Sequence, residues 1–185
     1  FGSLEGVASA KGEIFSGLGY IGTAVINQDD QFAAFWRTLA GQNKILTFGS
    51  VPGTDVHIES FDPVVINVAG RRYPIKLSLQ GRHNIMNAAA AIAACLAIEI
   101  KIGEAVKGLE SMLPVSGRLM PCRGPHGSLV IDDSYNANPA STRAAIDVLA
   151  QQDALEKILV LGDMAELGDE AVSIHAEVGR QAKAA

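Results

Sequence analysis

The sequence predicts an α/β protein made of two successive strand-and-helix layers, and three observations carry that expectation. Short apolar runs alternate with helix-period segments, an alanine-rich helix lies near the middle of the chain, and a stretch dense in proline and glycine interrupts the alternation between Leu113 and Ser128. The first layer is expected to be a mixed sheet with helices, and the second part of a doubly wound arrangement.

Each element follows from its local pattern. Residues Leu4 to Phe15 have apolar positions at helical spacing and are stopped by Ser16 and Gly17. The run GTAVIN, Gly22 to Asn27, reads as a short buried strand leading into the polar NQDD loop. QFAAFWRTLA follows as a helix closed by Gly41, and KILTFGS as a second strand. This rhythm of strand and helix predicts a largely parallel sheet. From Asp55 to Gln80 the pattern changes to three runs, VHIESF, VVINVAG and YPIKLSLQ, separated by Asp-Pro and Gly-Arg-Arg. They read as consecutive antiparallel strands, with AGRR as a hairpin turn.

Ala88 to Ile98 is almost pure alanine and isoleucine and predicts a buried helix, followed by a shorter one from Ile102 to Met112. The stretch from Leu113 to Ser128 holds three prolines and three glycines, which neither a helix nor a central strand tolerates. It is the expected domain boundary, dividing the chain into 1–114 and 115–185. Beyond it the rhythm restarts: strand SLVIDDS, a helix from Ser141 to Ala150, strand KILVLGD, and a helix from Glu170 onward. Two such βα units make only part of a doubly wound domain, so the chain is expected to stop inside its second domain. It opens without Met on a helical pattern, and so is expected to begin inside a structure as well.

Composition narrows the function. A net charge of -5 over 185 residues, with no cluster of Lys and Arg, argues against a nucleic-acid partner. Two cysteines, Cys95 and Cys122, have neither a disulfide-framework nor a metal-ligand spacing and fit a reducing, cytoplasmic compartment. The longest apolar run is far short of the ~20 residues that cross a bilayer, and no signal core follows the N-terminus, so no membrane partner is expected.

The chemistry-bearing residues gather at element ends. In QGRHNIMNAAAA, Asn84 and Asn87 stand three apart on one face of a first helical turn, where unpaired N–H groups and the positive end of the helix dipole also point. Helix capping accounts for one Asn, but not for two with Arg82 and His83 beside them. VIDDSYNANP runs from a buried strand into paired carboxylates, Asp132 and Asp133. Such a pair at a strand tip repels unless it is solvated, bound to a cation or bonded to ligand hydroxyls. Asn138 or Ser141 reads as the cap of the helix that Pro139 starts. LVLGDMAELGD presents a similar tip with Asp163, Glu166 and Asp169, equally consistent with a solvated acidic loop. Lys11 lies among small residues, where a surface Lys with a packed stem is the default. His57, His126 and His175 have no partner at ligand spacing and read as structural or surface residues. GLGYIG precedes a strand instead of following one, so it is not a phosphate loop.

Taken in order, FGSLEGVASAKGEIF, GRHNIMNAAAAIAA, SGRLM, DDSYNANPAS and ILVLGDMAELGDEAVSIHAEVG resemble the Mur ligases of bacterial cell-wall synthesis. HN-x-x-N is shared across Mur ligases and folylpolyglutamate synthetases. DDSYNANP followed by LGDMAELG is similar, more narrowly, to the members that add D-alanyl-D-alanine to UDP-N-acetylmuramoyl-tripeptide. The resemblance implies that residues 1–114 are the later part of a central ATPase domain, and 115–185 the first part of a Rossmann-like C-terminal domain. It implies an ATP- and magnesium-dependent amide ligase acting through an acyl phosphate, cytoplasmic and monomeric. The phosphate loop, the UDP-binding domain and the upstream magnesium ligands are absent, so the chain by itself is expected to be inactive.

By the same resemblance, Asn84 and Asn87 hold the adenine of ATP, Asp133 the ribose hydroxyls, and Arg118 the phosphates, with ATP lying between domains. Lys11 matches the family's carbamylated lysine, which helps hold a second magnesium and is counted with Arg118 among the catalytic groups. Tyr135, Asn136 and Asn138, together with GDMAEL, line the side of the incoming amine substrate. Two alternatives stay open: another Mur or folylpolyglutamate-type ligase, and a non-catalytic regulatory module that kept the fold.

Overall fold

The structure, a computed structural model, describes residues 3–79, 81–113 and 115–185. The expected boundary at residue 114 therefore lies outside the described residues, as do the ends of two quoted motifs at Phe1 and Gln80. The chain divides into two compact units, the first comprising Phe1–Leu77 and Ile85–Ser111, the second Ser78–Asn84 and Met112–Ala185.

The first unit is built on a five-stranded sheet. Helix α1 (Leu4–Gly12) starts at Ser3, whose hydroxyl accepts the Gly6 N–H at 3.1 Å. It ends earlier than its periodicity predicts, because Glu13–Gly17 tightens into a 3-10 turn. Strand β1 (Thr23–Asn27), helix α2 (Ala33–Ala40) and strand β2 (Lys44–Gly49) follow. Then come β3 (Val56–Phe61), β4 (Val64–Val68) and β5 (Arg71–Pro74). The strand order is β1-β2-β3-β4-β5, parallel across β1, β2 and β3 and antiparallel across β3, β4 and β5. The β4–β5 turn sets both Ala69 (φ 50°) and Gly70 (φ 78°) in the left-handed region, as a two-residue type I′ hairpin demands.

Helix α3 (Arg82–Ala97) and helix α4 (Ile102–Glu110) cover one face of this sheet. The buried residues of α3 are Ile85, Ala88, Ala89, Ile92 and Ala93, a single stripe at helical spacing. They pack with Val56, Ile58 and Ile66 of the sheet and with Ala105 and Leu109 of α4. Three of the five stripe residues are alanines, which lets the helix backbone lie close to the strands. A second cluster, Ala24, Ile26, Ala33 and Ala40, joins β1 to α2, and the Trp36 indole N–H fastens α1 to it through the Ala8 carbonyl at 2.9 Å.

In the second unit the structure departs from expectation twice. Met120–Arg123, inside the Pro/Gly stretch, forms strand β6 and pairs antiparallel with β7 (Leu129–Asp132). Pro121 is tolerated because β6 is an edge strand, and the reversal uses left-handed His126 (φ 55°) and Gly127 (φ 81°). KILVLGD, expected as a strand, has no ladder partner among the described residues, and Ile158 and Val160 stand exposed. Apolar character alone does not make a strand when no neighbour takes up its N–H and C=O groups. Helices α5 (Pro139–Ala150) and α6 (Ala171–Ala184) pack around Ile146, Met164 and Val178. No helix among the described residues is long and apolar enough to cross a membrane.

Candidate functional site

Asn84 and Asn87 both lie within α3, which begins at Arg82, so neither stands in the capping position ahead of the helix. Asn84 is half-buried, Asn87 exposed. The entry is shaped by Gly81 at φ +94°, where a Cβ would fall 2.6 Å from His83 Cε1 and 3.2 Å from Val148 Cγ2. Both the backbone conformation and the ring packed against it require glycine. Burial lowers the pKa of His83, while the nearby Asp133 carboxylate raises it in part.

The strand tip after β7 separates its two carboxylates by their partners. Asp132 is committed to the fold: Oδ2 accepts the Gly117 N–H at 3.1 Å and Oδ1 the Ser134 N–H at 3.1 Å. Hydrogen bonds from the hydroxyl and amide of Ser134, and from the Gly117 amide, hold its pKa below the ordinary carboxylate value. Asp133 spends only Oδ1, on the Leu119 N–H at 3.1 Å, and its second oxygen has no donor among the described residues. One acid builds the turn and the other keeps an oxygen available.

The same contacts carry Arg118. Residues 117–119 are laced to 132–135 by those two amides and by the Tyr135 N–H donating to the Gly117 carbonyl at 3.0 Å. Gly117 (φ +74°) is needed there, since a Cβ would lie 3.0 Å from the Tyr135 nitrogen. Arg118, between two anchored residues, lays its guanidinium 4.3 Å from the Tyr135 ring centroid and stays exposed. Asn136 Oδ1 accepts the N–H of Ala137 at 2.9 Å. Asn138 is the cap of α5, in a reciprocal capping box with Ser141 at 2.9 and 3.0 Å, so its side-chain oxygen is occupied.

Lys11 is exposed in the last turn of α1. The residues thus fall into two sets: Lys11 and Asn87 in the first unit, and Asn84, Arg118, Asp133, Tyr135, Asn136 and Asn138 in the second. Within the second unit the chemistry suits parts of a nucleotide: Asp133 has an open oxygen for hydroxyls and Arg118 an exposed cation for phosphate. It does not suit magnesium. No three His, Cys, Asp or Glu among the described residues come together to hold a metal ion, and a Lys11 carbamate would be a solitary ligand.

Sequence reasoning passed over Gly81, Gly117 and the Leu119 amide, although SGRLM had drawn attention as a motif. Backbone donors leave no residue-type signature, and only the glycines could have marked the close approaches.

This fold is that of a known class. Residues 1–95 match the family profile of the Mur ligase middle domain, and residues 117–185 that of the Mur ligase glutamate ligase domain. The chain belongs to the Mur ligase family. It is 40% identical, over its whole length, to UDP-N-acetylmuramoyl-tripeptide--D-alanyl-D-alanine ligase of Escherichia coli K12, and 38% identical over 97% of its length to the Haemophilus influenzae enzyme of the same name. A crystal structure of MurF from Acinetobacter baumannii superposes on all of the chain, and on 41% of that protein, with a TM-score of 0.90 and 37% identity. The chain spans 42% and 40% of the length of the two curated relatives.

Proposed function

We propose that the chain is the nucleotide-handling part of an ATP-dependent ligase that joins D-alanyl-D-alanine to UDP-N-acetylmuramoyl-tripeptide in peptidoglycan precursor synthesis. Residues 1–114 serve as the later part of the central domain and 115–185 as the first part of the C-terminal domain. The observation that carries this reading is the division of labour at the β7 tip, where Asp132 is consumed by the fold while Asp133 retains an open oxygen beside the anchored Arg118. The relatives' common name supplies the substrates.

In this reading Asn84 and Asn87 read the N6 and N7 edge of adenine, as an Asn amide does wherever it meets that base edge. Asp133 takes the ribose hydroxyls. Arg118, pre-aimed by its flanking amides and the Tyr135 ring, meets the phosphates. ATP activates the tripeptide carboxylate as an acyl phosphate, and the D-alanyl-D-alanine amine displaces phosphate to form the amide. Tyr135, Asn136, Asn138 and the GDMAEL stretch, Gly162 to Leu167, face the amine substrate. In a longer protein a Lys11 carbamate would be a single magnesium ligand, and the described residues supply no others.

The test uses a full-length protein containing this sequence. ADP, phosphate and the pentapeptide product should appear together, and only when ATP, the tripeptide and D-alanyl-D-alanine are all present. Asn84→Ala and Asn87→Ala should each raise the ATP KM and relax discrimination against GTP, a base contact being worth about 1–3 kcal/mol. Transfer of a different amine with D-alanyl-D-alanine ignored would move the protein to another branch of the family. Absence of any ATP-dependent product would leave the regulatory module.

A further inference from the structure

The loop from Leu161 to Gly168 is exposed except at Met164, which is 4% exposed and sits in the cluster with Ile146 and Val178, and at half-buried Leu167, which packs against that cluster. The Met164 backbone N–H donates to His175 Nε2 of α6 at 2.9 Å. An accepting Nε2 carries no proton, so the neutral ring has its hydrogen on Nδ1, which lies 2.7 Å from the Ala171 carbonyl and donates to it. Both ring nitrogens are therefore used, and the imidazole bridges the first turn of α6 to the middle of the loop. The Thr142 hydroxyl, 3.6 Å from the Met164 sulfur, braces the same residue from α5. Just beyond the anchor, Glu166 adopts φ +62°, a conformation that a non-glycine residue holds only when its surroundings fix it.

We propose that His175 is a positioning residue: by accepting the Met164 N–H it fixes the loop that presents the Asp163 and Glu166 carboxylates to the ammonium-bearing substrate. This assignment rests on the proposed function for its substrate, but not for its hydrogen bond. An exposed loop pinned at buried Met164 and half-buried Leu167 is a means of presenting the side chains between them with little freedom, and carboxylates are the groups suited to an incoming ammonium.

The variants His175→Gln and His175→Asn separate this role from simple packing. Gln reaches as far as Nε2 and can accept the Met164 N–H, whereas Asn reaches only as far as Nδ1. In a full-length protein containing this sequence, His175→Asn should raise the KM for D-alanyl-D-alanine about tenfold with the ATP KM unchanged, and His175→Gln should restore most of it. Hydrogen exchange at the Met164 amide should quicken in the Asn variant and stay slow in the Gln variant. Equal behaviour of the two variants, or equal rises in both KM values, overturns the proposal. If exchange follows the prediction but another amine proves to be the substrate, the anchor stands and the substrate reading fails.

Discussion

Two regions of the chain contain runs of similar apolarity with opposite fates. In the five-stranded unit Ile26, Val56 and Ile66 are at most 1% exposed, each between a helix and neighbouring strands. In the second unit Ile158 and Val160, from an equally hydrophobic run, are 71% and 89% exposed. The difference lies in the partners. The strands that carry these residues have both a ladder and a helix packed on them, whereas KILVLGD has no ladder among the described residues and is exposed throughout. Hydrophobic patterning specifies which face a strand would bury, and the partner decides whether it does.

The largest effect expected from this contrast is on stability. Ile92→Ala, at the centre of the α3 stripe, should cost about 2–5 kcal/mol in urea unfolding, because it opens a cavity in a core with no solvent access. Val160→Ala should change the same measurement by less than about 0.5 kcal/mol. A comparable loss at both positions would mean that Val160 is buried in solution and the contrast is false.

How much of this was legible in the sequence follows the same line. The first unit could be read nearly element by element, because β1, α2, β2 and the α3 stripe each announce themselves by period, and the Ala69-Gly70 turn by its residues. The second unit was legible in its helices and less so in its strands. β6 is short, contains Pro121, and exists only through its pairing with β7. At the candidate site, Asn138 could be read as a cap from the following Pro139 and Ser141. The split between Asp132 and Asp133 could not, since it depends on which backbone amides of 117–119 the fold delivers. The role of His175 was illegible for the same reason: its partner is a main-chain N–H eleven residues away in sequence.

A smaller effect probes how the second unit holds its helix. Asn138→Ala removes one half of the capping box and should destabilise α5 by about 1 kcal/mol, with Asn138→Asp near neutral, since either side-chain oxygen accepts the Ser141 N–H. A loss of amine-substrate binding in Asn138→Asp without loss of stability would show the amide nitrogen at work beyond the cap.

The smallest concerns the loop edge of the first unit. Burial pushes the Asp29 carboxyl up, but hydrogen bonds from the Ser50 amide and hydroxyl and the Val51 amide, with the charge of His57, outweigh it and leave the pKa below its ordinary value. A depressed carboxylate contributes stability above its unfolded pKa, near 4, and loses that contribution as pH falls through the folded value. Urea midpoints should therefore drop more steeply below about pH 4 in the wild type than in Asp29→Asn. Parallel curves would mean the cluster contributes nothing to this unit.

The central claim is that the β7 tip assigns one carboxylate to the fold and one to the nucleotide. Its most direct test is the KM of a full-length protein containing this sequence for ATP and for 2′-deoxy-ATP, with Asp133 and Asp132 each replaced by Ala. Asp133→Ala should raise the ATP KM about tenfold while affecting 2′-deoxy-ATP less, and Asp132→Ala should lower stability without distinguishing the two nucleotides. Equal losses for ATP and 2′-deoxy-ATP in Asp133→Ala would contradict the claim.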